Sequence, residues 1–144
     1  MDTVVDRQSV EVLRVRADMN GGGPKAAFDV LEAKLHSLRG RRFYGCIWVR
    51  EDQDDYFACV ERLPTEDPEQ LGLEVATIPG GKYVRRKVFD WLKVVEAGRM
   101  KEIGQEFAHG YTLDPRRPTL EYYRSMDELH ILLPLAEGSA ATTK

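Results

Sequence analysis

The sequence predicts an α+β domain in which antiparallel sheets are backed by helices. Three observations carry this reading. Several segments alternate apolar and polar residues with a period of two, two segments repeat apolar residues at helical spacing, and the order strand-helix-strand-strand occurs twice. The 144 residues are enough for one domain that removes roughly two thirds of its unfolded surface from water.

Taken in order, residues 1–8 read as a flexible N-terminus. Leu13, Val15, Ala17 and Met19 then alternate with Arg14, Arg16 and Asp18, the pattern of a half-buried strand. Asn20-Gly21-Gly22-Gly23 breaks it, and Pro24 suits the first turn of a helix, where a missing N–H costs nothing. Ala27, Phe28, Leu31, Leu35 and Leu38 keep helical spacing to residue 39, with Gly40 placed as a C-terminal glycine. Residues 43–49 are apolar on both faces, as a central strand requires: Phe43, Gly45, Ile47 and Val49 alternate with Tyr44, Cys46 and Trp48. The polar turn Glu51-Asp52-Gln53-Asp54 sends the chain back over residues 56–63. Centring the hairpin on that turn pairs Trp48 with Phe57 and Cys46 with Cys59.

Pro64 and Pro68 mark an acidic linker over residues 64–70. Beyond it Leu73, Val75 and Thr77 form a short strand, Pro79-Gly80-Gly81 a kink, and residues 83–89 a further extended run. A helix over roughly 94–108 carries Val95, Ile103 and Phe107 on one side, and Gly98 and Gly104 weaken it by about 1 kcal/mol each. Residues 119–124 and 129–135 make a second hairpin around Ser125-Met126-Asp127-Glu128, and 138–144 read as a disordered tail. The expected organisation is therefore a single domain over 9–137, with repeat one at 9–63 and repeat two at 71–137.

Composition narrows the function classes without choosing one. Hydrophobic content of 42% and charged content of 31% are ordinary, and a net charge of −3 disfavours nucleic acid or an anionic membrane as partner. No apolar run approaches the ~20 residues that span a bilayer, and the first residues lack an export pattern, so the expected location is cytoplasmic. Cys46 and Cys59 are expected as free buried thiols. His36, His109 and His130 sit on different elements with no ligand spacing, so no metal and no cofactor is implied. No GxSxG elbow is present. The triglycine before Pro24 and Gly81-Lys82 lack a phosphate-loop pattern, leaving loop geometry as their reason. The basic bursts Arg39, Arg41, Arg42, Arg85, Arg86, Lys87, Arg116 and Arg117 read as solvated faces.

The sharper signal is Leu120-Glu121-Tyr122-Tyr123, which puts Glu121 and Tyr123 on one strand face with backbones ~7 Å apart. Trp48, Phe57, Tyr44, Tyr83, Trp91 and Tyr111 are the aromatics that could share a cavity with them. A carboxylate among rings has two uses: ionised, it neutralises a lipophilic cation, and with its pKa raised by desolvation it takes a proton from water. Spacing alone equally allows a glutamate facing solvent on an edge strand.

Three stretches in this order, Ile78-Pro79-Gly80-Gly81-Lys82-Tyr83, Arg117-Pro118-Thr119-Leu120-Glu121-Tyr122-Tyr123 and Ile131-Leu132-Leu133-Pro134-Leu135, resemble the signature of the GyrI-like small-molecule-binding domain. That family includes DNA gyrase inhibitory protein and the effector-binding domains of multidrug-responsive activators. The resemblance spans roughly residues 10–135. It implies two repeats related by a pseudo-twofold axis, a ligand cleft between them, and Glu121 facing that cleft. It points to Trp48, Tyr83 and Tyr123 as first choices for ring partners, with Tyr44 and Phe57 behind them. The implied function is a stand-alone domain that captures hydrophobic, aromatic or cationic small molecules, without direct contact to nucleic acid or membrane. Some stand-alone members open the cyclopropane ring of DNA-alkylating natural products. By that likeness the alternative is a hydrolase conferring toxin resistance, with Glu121 activating or positioning water and Tyr123 orienting the carboxylate or the substrate. A third class, a module acting on a macromolecule, has only the acidic segment 51–69 for support. The oligomeric state is left open.

Overall fold

A computed structural model describes residues 2–137; the tail expected at 138–144 lies outside them. The strands are β1 (Thr3–Arg7), β2 (Val10–Arg16), β3 (Phe43–Trp48), β4 (Asp55–Glu61), β5 (Glu74–Ile78), β6 (Gly81–Phe89), β7 (Thr119–Tyr123) and β8 (Glu128–Pro134). The helices are α1 (Gly23–Ala33), α2 (Pro68–Leu71), α3 (Trp91–Glu96) and α4 (Met100–His109). All eight strands join in one antiparallel sheet of order β1-β6-β8-β7-β3-β4-β2-β5. The expected pair of sheets is thus the two halves of a single curled one, fused where β3 pairs β7 from Tyr44↔Tyr122 to Ile47↔Thr119. Read outward from that seam, β3-β4-β2-β5 matches β7-β8-β6-β1, which is the duplication expressed as topology.

Two passes of chain tie the halves together. Residues 3–16 and 74–89 keep one antiparallel register from Thr3↔Arg85 to Arg7↔Gly81 and again from Val10↔Ile78 to Arg14↔Glu74. The ladder breaks only at Gln8-Ser9 against Pro79-Gly80. There the backbones approach so closely that a Cβ on Gly80 would lie 2.6 Å from both Arg7 O and Ser9 N. The Gly80 N–H donates to Ser9 Oγ (2.9 Å) and Tyr83 Oη donates to Pro79 O (2.6 Å), so this motif is a clasp.

Strand alternation separates two faces. Val12, Tyr44, Cys46, Phe57, Cys59, Ile78, Tyr83, Leu120 and Leu132 pack together from strands alone, as the inward curl of the sheet demands. The opposite face carries α1 over Leu13, Ala58 and Val60, and α4 over Val84, Leu129 and Ile131. Cys46 and Cys59 are free and buried. No helix among the described residues is long and apolar enough to cross a membrane.

Several local expectations are corrected. Residues 3–7 form edge strand β1 rather than a flexible end, because β6, far away in sequence, supplies its partner and Asp2 binds Arg86 (2.8 Å) and Tyr111 (2.7 Å). The first helix ends at Ala33, not near residue 39: Leu38 is exposed and offers no packing to extend it. The second helix is two, α3 and α4, split at Gly98 (φ 71°), where Arg99 N–H bonds Val94 O (3.0 Å) in a left-handed cap. The first hairpin pairs Cys46 with Phe57 and Trp48 with Asp55, two residues from the expected register. Asp54 accepts from the Arg50 N–H (3.2 Å) and Asp55 is held by Arg16 and Arg50, which sets the shorter return. The acidic linker is tied down by a buried Arg41–Glu66 pair (2.8 Å) and contains α2.

Candidate functional site

The two helical layers do not meet. Over the β3–β7 seam they leave a cavity of about 760 Å³, walled by α1 on one side and α3 with Met100 on the other. Its floor is set by strand parity. Gly45 on β3 lies opposite Glu121 on β7 and Ala58 on β4, so Glu121, Tyr123 and Tyr56 all rise on the helix-bearing face.

Glycine at position 45 is a steric requirement. A Cβ there would stand 2.0 Å from Tyr56 Oη and 2.8 Å from Glu121 Oε1. The missing side chain is the space in which these two groups cross and meet.

Tyr56 Oη donates to Glu121 Oε1 at 2.8 Å, Tyr123 Oη donates to the same oxygen at 3.0 Å, and the two hydroxyls lie 3.2 Å apart. Oε2 has no hydrogen-bond partner among the described residues. Since the one fully buried, unpartnered side-chain polar atom among the described residues is Arg7 Nε, Oε2 opens on the cavity. Desolvation raises the Glu121 pKa, and the two tyrosine hydrogen bonds oppose that rise without cancelling it. Burial likewise raises Tyr56 and Tyr123, and the neighbouring carboxylate adds to it, so both stay neutral donors at neutral pH.

Rings enclose this group. Phe28 of α1 meets Tyr123 edge-on with centroids 5.4 Å apart, and Trp91 of α3 meets it from the other side at 5.1 Å. Trp91 is fixed by donation from Nε1 to Ser125 O (2.9 Å). Leu92, Val95 and Met126 complete the mouth and are 40%, 48% and 69% exposed, a wet apolar rim. Lys25, Asp29 and Glu32 line the α1 side. Lys25 is paired with Asp29 (3.1 Å), so the charge left over is negative.

Of the residues singled out from the sequence, the structure brings Glu121, Tyr123 and Trp91 together here. Tyr44, Trp48, Phe57 and Tyr83 are elsewhere, in or against the strand-only core on the opposite face. Tyr44 is buried between Arg7 (2.8 Å) and Glu61 (2.6 Å), Phe57 lies under the Arg14 guanidinium (3.9 Å), and Tyr83 belongs to the clasp. Tyr111 packs on Phe107 and donates to Asp2. Alternation and hairpin pairing put Tyr44, Trp48 and Phe57 on one face and left open which face lines a cleft; the structure sets all three on the face opposite Glu121. Sequence reasoning passed over Tyr56, Phe28, Phe43, Leu92, Met100 and Met126. The available signal was Gly45: a glycine inside a central apolar strand marks a close approach on its own face.

The arginine bursts do not converge. Arg86 binds Asp2, Arg41 binds Glu66, and Arg116 and Arg117 both bind Asp114, holding that carboxyl well below the usual range. Among the described residues no group of histidine, cysteine and carboxylate side chains could hold a metal.

No protein-family model matches the chain, and no curated protein matches it in sequence. Solved structures do share its fold. An integron cassette protein from the mobile metagenome of Vibrio cholerae superposes with a TM-score of 0.67 at 17% identity, over 94% of this chain and 95% of its own. SAV2435, bound to tetraphenylphosphonium, gives 0.62 at 13% identity, over 95% and 94%. A hydrolase from Listeria innocua gives 0.58 at 16% identity, over 94% and 91%. At these identities the likeness is one of fold.

Proposed function

We propose that the chain is a small-molecule-binding domain that captures hydrophobic, aromatic cations in the cavity between α1 and α3, with Glu121 as the countercharge. The observation that carries this is a carboxylate with one oxygen held by two tyrosine hydroxyls, the other open to the cavity, and aromatic rings on both sides. A carboxyl drawn out of water costs free energy unless an opposite charge joins it. A lipophilic cation supplies that charge and gains the negative faces of Phe28, Tyr123 and Trp91 as well. The cavity is also of a size that encloses a drug-sized ligand. The tetraphenylphosphonium held by SAV2435 is of this chemical class.

A second reading rests on the same open oxygen. A carboxyl of raised basicity with Oε2 facing the cavity can accept a proton from a water beside a bound electrophile, which is hydrolase chemistry. Under that reading Glu121 is the base and Tyr123 positions it; the Listeria innocua neighbour described as a hydrolase is of the class.

One experiment separates the two. The protein is incubated with a panel of lipophilic cations and a cyclopropane-bearing alkylator, and the mixtures are read by mass spectrometry. Cations retained unchanged and stoichiometrically support capture. Catalytic formation of a product one water heavier, lost in Glu121→Gln, supports hydrolysis. Absence of both retention and conversion removes both.

A further inference from the structure

Resting on the reading of the cavity as a cation site, we infer that it works as an exchanger: Glu121 holds a proton while the cavity is empty and gives it up to solvent when a monocation enters. The bookkeeping is closed, since the protonated carboxyl and the free cation become a carboxylate–cation pair and a solvent proton. On the protonated form the same cavity accepts neutral aromatic ligands.

The geometry argues for this by proton count. Glu121 Oε1, Tyr56 Oη and Tyr123 Oη form a triangle with edges of 2.8, 3.0 and 3.2 Å. All three edges are bridged by hydrogens only when three protons are present. The two phenols supply two, so with Glu121 ionised one edge sets two oxygens against each other without a hydrogen between them. A third proton on Oε1 completes a ring in which Oε1 donates to Tyr56 Oη, Tyr56 Oη to Tyr123 Oη, and Tyr123 Oη back to Oε1. Each oxygen then donates once and accepts once.

No other element around the triangle supplies compensation. From α1 come Lys25, already paired with Asp29, and Glu32, whose charge also favours the protonated form. From α3 come Trp91, Leu92 and Val95, from α4 Met100, and from the β7–β8 turn Ser125 and Met126, none of them charged. On β3, Phe43 and Gly45 flank the group, and the Cys46 thiol points to the other face of the sheet. Burial of the carboxyl acts in the same direction as the proton count. A cation arriving through the mouth reverses the balance, since its charge stabilises the carboxylate that desolvation disfavours.

The test is calorimetric titration of the protein with tetraphenylphosphonium chloride in pairs of buffers that differ in ionisation heat, from about pH 5 to about pH 8. The expected result is release of about one proton per cation at the acid end, with affinity rising about tenfold per pH unit and then levelling. In Glu121→Gln the residual binding releases no proton. In Tyr56→Phe the ring that holds the third proton is opened, so release is confined to lower pH than in the parent; this variant keeps the test alive should the glutamine fold poorly. Cation binding with a flat pH profile and no proton release overturns the exchange and leaves the cavity reading standing. Release that survives in Glu121→Gln also overturns it. Absence of any cation binding removes the cavity reading and the exchange together.

Discussion

Two tyrosine–glutamate groups stand on opposite faces of one sheet, and they are completed differently. On the strand-only face Tyr44 donates to Glu61, and Arg7 both donates to Tyr44 and lies 5.3 Å from its ring centroid. On the helix face Tyr56 and Tyr123 donate to Glu121, rings approach from both sides, and no cation among the described residues bonds the carboxylate. The first group contains phenol, carboxylate, ring face and guanidinium. The second contains everything but the cation, and opens on a cavity. The contrast fits the roles proposed above: Tyr44 links Glu61 to a guanidinium of the protein itself, whereas at Glu121 a bound ligand would have to bring the cation.

The largest test of that contrast is Glu121→Gln. Affinity for tetraphenylphosphonium is expected to fall about 100-fold, while a neutral aromatic ligand of similar size changes less than about threefold, both by titration calorimetry. Stability should respond with the opposite sign. The folded state holds the Glu121 proton to higher pH than the unfolded chain does, so ionising it costs stability as pH rises from the unfolded value through the raised folded one. Glu121→Gln removes that cost. Its urea midpoint should match the parent's in acid and exceed it increasingly toward neutral pH.

Gly45→Ala attacks the same group sterically. A Cβ at 2.0 Å from Tyr56 Oη must push the phenol aside, with an expected loss of about 2 kcal/mol in stability and about tenfold in cation affinity. Arg7→Met makes the structural group imitate the ligand site by removing its cation. The expected cost is about 2 kcal/mol in urea unfolding with cation affinity within about twofold of the parent. Equal affinity losses in Arg7→Met and Glu121→Gln would erase the distinction between the faces. The smallest effect is expected at Asp90, the one described non-glycine residue with positive φ (53°), whose side chain makes no capping bond at the start of α3. Asp90→Gly should stabilise by about 0.5 kcal/mol, read as a higher melting temperature.

What was legible in the sequence was local. The two-residue alternation of Leu13 to Met19, the helical spacing of Ala27, Phe28 and Leu31, and the repeated element order each express contacts within a few residues. They gave the α+β class and the duplication. β1 was missed because five residues ending in Asp-Arg carry little signal, and their partner strand lies some eighty residues away. The joining of the halves at β3–β7 is also non-local. Glu121 and Tyr123 came from one strand, where parity suffices. Tyr56 needed the knowledge that β4 and β7 both flank β3, and that Gly45 clears the space between them. Trp48 and Tyr83 were drawn in by being aromatic, yet rings of this size also fill cores, and these pack with the interior of the curl.

The most direct test of the central claim is a crystal structure of the protein soaked with tetraphenylphosphonium. The account predicts the phosphonium between α1 and α3, its charge within about 6 Å of the Glu121 carboxylate and its phenyl groups against Phe28, Trp91 and Tyr123. A cation lodged against Tyr44, Trp48 or Tyr122 on the strand-only face, with the cavity over the seam left empty, would contradict it.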